Sequence, residues 1–247
     1  MKYKAIKYKK IGRVAYITLE IPKSSRSSYE FMCAEMLDVC DIISWDDSIS
    51  VVVIKNSGKT FLRGTATELN AAICEAINAV ARLDKIVVAV INGDTFGEGL
   101  ELALACDVRI ASDRSRFALS NVGEGTIPSG GGTQRLPRLI GQAKAMEMIL
   151  TASTIDATEA FRIGLIHQIV SSRAVDIEAG TLIEKIAEKA PIALRFCKEA
   201  VNKGVDLTLE QGLRLEADLY FLIQTTGDRM EGIKSFLEKR KSSFKGE

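Results

Sequence analysis

Four short runs punctuate the first half of the chain: RVAYITLEI (13–21), SVVVIK (50–55), KIVVAVI (85–91) and DVRIASD (107–113). The first alternates in part, and the second and third are continuous β-branched runs of the kind found in strands covered on both faces. Between them, YEFMCAEMLDVCDIISW (29–45) and ATELNAAICEAINAVARL (66–83) repeat their apolar residues at helical spacing. The resulting β-α-β-α-β order implies parallel strands joined by crossover helices. From QAKAMEMILTAS (142–153) onward the strand signal nearly vanishes, so an α/β half is followed by an α half. Residues 122–141 are dense in glycine and carry turn and helix-start signals, and they read as an ordered loop. No repeat of 20 to 50 residues is visible.

A chain of 247 residues can form one large domain, or a domain with a helical appendage. Its 33 lysines and arginines against 32 aspartates and glutamates leave a net charge of +1, which gives no dominant attraction to nucleic acid or to an anionic membrane. The five cysteines are odd in number, scattered and never paired as CxxC, so neither a disulfide framework nor a metal site is expected. MKYKAIKYKKIG at the start has a basic region with no apolar core behind it, and IVVAVI is far too short to span a bilayer. A soluble, cytoplasmic protein is the expectation.

The chemistry concentrates in GDTFGEGLELALACD (93–107), where a glycine-rich turn precedes an apolar helical run interrupted by Glu101. Three readings compete: a buried helix whose glutamate reaches solvent, a dinucleotide-binding turn, and a catalytic carboxyl. Leu100, Leu102, Ala103, Leu104 and Ala105 surround Glu101, so no polar stripe accompanies it. The glycine spacing fits a dinucleotide fingerprint poorly, its third small residue being out of register. In the catalytic reading, glycines let the backbone approach a ligand and the first N–H groups of the helix point outward. A carboxyl in apolar surroundings is then tuned toward acid–base work.

Two segments, VINGDTFGEGLELALACDVRIAS and GTIPSGGGTQRLPRLIGQAKAMEMILTA, carry a resemblance that runs over nearly the whole chain: the sequence resembles the crotonase, or enoyl-CoA hydratase/isomerase, superfamily. The resemblance implies an α/β spiral of ββα units over residues 1–190 and a C-terminal helical trimerisation region over 191–247, in a homotrimer or dimer of trimers. It implies an acyl-CoA thioester as substrate, with no cofactor beyond the coenzyme A of the substrate itself. Two backbone N–H groups, of Thr65 in TFLRGTATEL and of Glu98, would form the oxyanion hole, an arrangement worth a few kcal/mol per donor. Coenzyme A would meet the backbone near Arg26 and, from a neighbouring subunit, Tyr220 and Lys239.

Hydratases of this superfamily use two glutamates. Glu101 matches the first, whereas alignment through GTIP puts Asn121 at the second. An amide cannot exchange a proton near neutral pH but can orient a water. Glu124 would share a face with Asn121 if the stretch forms a helical turn. Other departures are Glu98 in place of a glycine, SSRSSYEFM in place of an asparagine-containing segment, and a short stretch between Thr65 and Glu98. Enoyl-CoA hydration through Glu101 is the leading expectation. A single-carboxyl reaction (isomerisation, decarboxylation or C–C cleavage) and a non-catalytic thioester-binding scaffold are the alternatives. Outside this constellation, His167 is read as a surface residue of the helical region, and Arg135 and Arg138 as members of structural ion pairs. Cys33, Cys74 and Cys106 are read as small core residues.

Overall fold

A computed structural model describes residues 3–20, 26–63 and 70–247, with the backbone alone at 26, 27, 63 and 70. Its elements repeat a simple unit. The strands β1 (Ile6–Ile11) and β2 (Val14–Leu19) lead to α1 (Arg26–Ser44), and β3 (Val51–Asn56) and β4 (Thr60–Arg63) to α2 (Asn70–Arg82). In turn β5 (Ile86–Ile91) and β6 (Asp94–Phe96) lead to α3 (Glu98–Leu104), and β7 (Val108–Ser112) and β8 (Arg116–Ala118) to a 3₁₀ turn at Asn121–Glu124. Then follow α4 (Gly132–Ile140), α5 (Gln142–Thr151), β9 (Ile155–Asp156), α6 (Ala157–Arg162), β10 (Gln168–Val170) and α7 (Val175–Ala187). The chain closes with α8 (Pro191–Gly204), α9 (Leu209–Ile223) and α10 (Gly227–Leu237).

From the second unit on, the first strand of each unit joins a six-stranded sheet, ordered β1-β2-β3-β5-β7-β10, and the second joins a four-stranded sheet, β4-β6-β8-β9. The chain therefore spirals, as the ββα expectation requires. Strands β2, β3, β5, β7 and β10 run parallel, and β1 folds back antiparallel on β2. The β-branched runs are explained by cover on both faces. Val52 and Ile54 join the main core with Ile17, Ala89 and Ile91, while Val51 and Val53 join a second cluster closed by Val175, Ala179 and Ile183 of α7.

Three strand groups escaped the pattern. Strand β1 lies within the lysine-rich start, where only Ile6 is buried and the rest of the strand is largely exposed. Strands β4, β6, β8 and β9 are two to four residues long, below the length at which a period of two can register. Strand β10, within FRIGLIHQIV, pairs with β7 although the region reads as helical. The glycine-rich centre likewise contains α4, which accommodates Pro137.

The last three helices sit differently. No residue of α8 is buried, but the Lys198 ammonium reaches the Lys85 carbonyl and the Asp107 carboxylate, both at 2.8 Å. Helices α9 and α10 expose Leu213, Tyr220, Phe221, Met230, Phe236 and Leu237. The C-terminal segment turns back: Asp228 accepts the N–H groups of Lys245 and Gly246 at 2.6 and 2.8 Å, and the Arg13 guanidinium donates to the Phe244 carbonyl. Among the described residues no helix is long and apolar enough to cross a membrane.

Gly93, in the turn from β5 to β6, has φ of +126°, and a Cβ there would stand 1.8 Å from the Lys59 carbonyl oxygen. Neither the dihedral nor the approach admits a side chain. G93A is expected to lower the free energy of unfolding by at least about 3 kcal/mol, combining backbone strain and overpacking. Gly58 has open space around it, so G58A is expected to stay within about 0.5 kcal/mol of the parent. Urea denaturation of the two variants measures the difference, and a G93A midpoint equal to that of G58A would refute this reading.

Candidate active site

Every residue of α3 is buried. Its leucines and alanines dictate this, and they carry Glu101 inside with them to zero exposure. Glu101 Oε1 accepts the N–H of Gly132 at 2.7 Å. That N–H belongs to the first residue of α4, so the carboxyl caps a helix N-terminus from outside its own helix. The three glycines before TQRL make the approach possible. A Cβ on Gly132 would stand 3.0 Å from Oε1, and one on Gly130 would stand 3.1 Å from Oε2 and 2.7 Å from Ile77 Cδ1. Gly131, at φ of +98°, turns the chain into α4.

Arg135 fastens this turn. Its guanidinium donates to the Gly130 carbonyl at 2.6 Å and to Asn78 Oδ1 on α2 at 3.1 Å. It forms hydrogen bonds rather than the ion pair expected of it, whereas Arg138 does pair with Asp206, at 3.6 Å. Burial lowers the Arg135 pKa and the nearby Glu101 pushes it back up.

The protonation of Glu101 is contested by its surroundings. Burial raises its pKa above the ordinary glutamate value and is the largest influence. The Gly132 N–H opposes this, the charge of Glu98 reinforces it, and the backbone of Gly130 and Ser129 opposes it further. The net direction is up. Oε2 is buried and no group among the described residues meets hydrogen-bond geometry with it. A buried carboxyl with one oxygen anchored and the other open is equipped to take up or release a proton.

Both ends of α3 are fixed. At its start Gly97 adopts φ of 54° and donates its N–H to the Ala118 carbonyl of β8 at 2.9 Å. A Cβ on Gly99 would stand 2.1 Å from the Leu62 carbonyl oxygen, so the helix presses directly on β4. At its end the buried Arg109 donates to the carbonyls of Ala103 and Cys106, at 3.2 and 2.6 Å, and to Leu165 at 2.8 Å. A cation at a helix C-terminus complements the dipole. Sequence reasoning missed Arg109, although a lone arginine in the strand DVRIASD was the available signal.

The other expected site residues fall as follows. Asn121 opens the 3₁₀ turn, buried, with Oδ1 unpartnered among the described residues. The helical turn required by the Glu124 reading exists, but Glu124 is exposed. Glu98 is 3% exposed at the first position of α3, from which N–H groups point out of the helix. Thr65 lies outside the described residues, and Arg26 opens α1 with its side chain undescribed. Tyr220 on α9 and Lys239 after α10 are exposed. His167 belongs to the sheet edge rather than to the helical region: its Nδ1 accepts the Arg109 N–H at 3.2 Å just before β10. Cys33 and Cys106 are core residues, their thiols pushed up by burial to about 11 and about 12, and Cys74 packs against the core in part. Among the described residues no group of three or more His, Cys, Asp or Glu is placed to hold a metal.

Comparison with known proteins bears on this geometry. Residues 9–247 match the family model described as enoyl-CoA hydratase/isomerase. The chain is 34% identical to a crotonyl-CoA hydratase of Syntrophomonas wolfei, over 99% of each protein. It is 37% identical to an (E)-benzylidenesuccinyl-CoA hydratase of Thauera aromatica, over 95% of this chain and 96% of the relative. The crystal structure of an enoyl-CoA hydratase from Bacillus anthracis superposes with a TM-score of 0.93 at 33% identity, covering 99% of this chain and all of that one.

The raised pKa of Glu101 has a thermodynamic counterpart. A carboxyl harder to ionise folded than unfolded costs stability above its folded pKa, and the cost disappears below the unfolded value, about 4.5. E101Q is therefore expected to melt at a higher temperature than the parent at pH 8, with the gain shrinking as the pH falls and vanishing below about 4.5. Calorimetry across that range checks it, and a gain that grows toward acid would refute it.

Proposed function

We infer that Glu101 is the acid–base group of an acyl-CoA enzyme, because this chain belongs to the enoyl-CoA hydratase/isomerase family and is an enzyme of the enoyl-CoA hydratase type. The observation that carries the assignment is the carboxyl itself, fully buried, with Oε1 on the Gly132 N–H and Oε2 open. In the proposed reaction the N–H groups of Thr65 and Glu98 polarise the thioester carbonyl of a 2-enoyl-CoA. Ionised Glu101 takes a proton from water as the water oxygen adds to the β-carbon and the electron pair of the double bond moves onto the thioester oxygen; the enolate then collapses as Glu101 returns that proton to the α-carbon and ends ionised, as it began. Asn121 orients the water through its buried amide. The exposed Glu124 takes no step.

The coenzyme A moiety would lie against the backbone near Arg26 and against Tyr220 and Lys239 of a neighbouring copy, both of which are exposed here. That arrangement requires a homotrimer or a dimer of trimers. Supporting it, the apolar residues of α9 and α10 stand open in the single chain, a pattern that calls for burial between subunits. A cytoplasmic setting is supported by five cysteines outside any disulfide. A second reading, in which one carboxyl performs isomerisation, decarboxylation or C–C cleavage, is favoured by Asn121 at the expected second carboxyl.

Three measurements test these proposals. With crotonyl-CoA as substrate, E101Q is expected to lose at least about 100-fold in kcat with little change in thioester affinity, and undiminished turnover would remove Glu101 from the mechanism. Mass spectrometry of a panel of thioesters separates water addition from loss of CO2 and from cleavage. Light scattering is expected to give the mass of three or six chains, and a monomer at micromolar concentration would refute the assembly.

A further inference from the structure

Two charged side chains grip the three-glycine turn before α4. Gly132 gives its N–H to Glu101 Oε1 at 2.7 Å, and Gly130 gives its carbonyl to Arg135 Nη1 at 2.6 Å. The Nη2 of the same guanidinium reaches Asn78 Oδ1 of α2 at 3.1 Å. A Cβ on Gly131 would stand 2.3 Å from Arg135 Nη1, so the middle glycine makes way for the arginine as its two neighbours make way for the carboxyl. The Arg135 N–H itself returns to the Gly131 carbonyl at 2.8 Å.

Stability alone does not account for Arg135. It is half-buried, which lowers its pKa, yet among the described residues it makes no salt bridge, and its partners are a main-chain carbonyl and an amide. Withdrawing a guanidinium from water toward neutral partners costs free energy. Arg138, three residues on, is exposed and paired with Asp206, the arrangement common for surface arginines.

We propose that Arg135 is a positioning residue for Glu101: by forking between Gly130 and Asn78 it ties the glycine turn to α2, keeps the Gly132 N–H on the carboxyl, and so keeps that carboxyl available as a base. The proposal rests on the reading of Glu101 as the acid–base group. Three successive glycines have no side chains with which to fix themselves, so the direction of the Gly132 N–H depends on an outside tie. The tie and the positive charge act in the same sense, because a held donor and a nearby cation both favour the ionised carboxyl. In agreement, Glu101 and Arg135 feel each other's charge. Glu98, on the same helix as Glu101, acts in the opposite sense. Around the carboxyl, Ile77 of α2, Leu119 and Pro128 carry no charge. Arg135 itself faces a surface cleft whose titratable and charged groups are Cys106, Asp107, Arg109, Arg138, His167 and Asp206.

The test joins a 13C-carboxyl NMR titration of glutamate-labelled parent, R135M and R135K to kcat and KM against pH with crotonyl-CoA. The Glu101 resonance is assigned by its absence from E101Q. R135M is expected to raise the Glu101 midpoint by about one pH unit or more, and the acid limb of kcat should move up with it. At neutral pH its kcat should fall at least about 10-fold, with KM within about threefold of the parent. Lysine keeps the charge but not the planar fork, so R135K is expected to recover less than half of the lost kcat. An unmoved Glu101 midpoint in R135M would overturn the proposal, and parental kcat in R135K would reduce the role to charge alone and overturn the positioning. Should R135M fail to fold, R135K decides by itself, a parental midpoint and kcat refuting the tie. The titration needs no turnover, so an active E101Q would sink the acid–base reading while leaving the effect of Arg135 on Glu101 measurable.

Discussion

One hydrogen bond organises this molecule: the N–H of Gly132 donated to a carboxyl that has no solvent. It joins two helices distant in sequence, α3 from the third ββα unit and α4 from the glycine-rich centre. It also sets the terms on which a charge can exist inside the core. Without the donor, burial alone would hold Glu101 neutral. With it, the ionised form becomes accessible while the pKa stays raised. Much of the surrounding construction serves this contact. Arg135 ties the glycine turn to α2, Gly99 lets α3 lie on β4, and Arg109 satisfies carbonyls at the far end of α3.

The fold supplies the precision. From the second ββα unit on, the short second strand lies in the smaller sheet, and α3 starts immediately after one of these, β6. The Gly97 N–H is pinned to β8, so the first turn of α3 cannot drift relative to the 3₁₀ turn that follows β8 and carries Asn121. Reactive groups held by main chain on rigid elements keep their geometry better than groups held by long side chains.

Much of this was legible in the sequence, for definite reasons. The strands β3 and β5 announced themselves because both faces are covered, which demands nearly unbroken β-branched runs, and β2 through its partial alternation. Glu101 stood out because its neighbours left it no polar face. Strands of two to four residues, and β1 with its exposed lysines, carry too few alternations to be seen. The roles of Arg109 and Arg135 were hidden for another reason: their partners are main-chain carbonyls and an asparagine brought close only by the fold. Glu98 stood out as a carboxylate in place of a glycine, but its burial is a property of the finished helix.

The glycine wall around the carboxyl has a consequence for redesign. Side chains at 130 or 132 would crowd Glu101 itself, so this side of the carboxyl is drawn by main chain and offers nothing to vary. A library aimed at a new acyl preference would waste its members there. Diversity belongs instead at the 3₁₀ turn of Asn121–Glu124, where side chains can change without entering the glycine turn that holds the carboxyl in place.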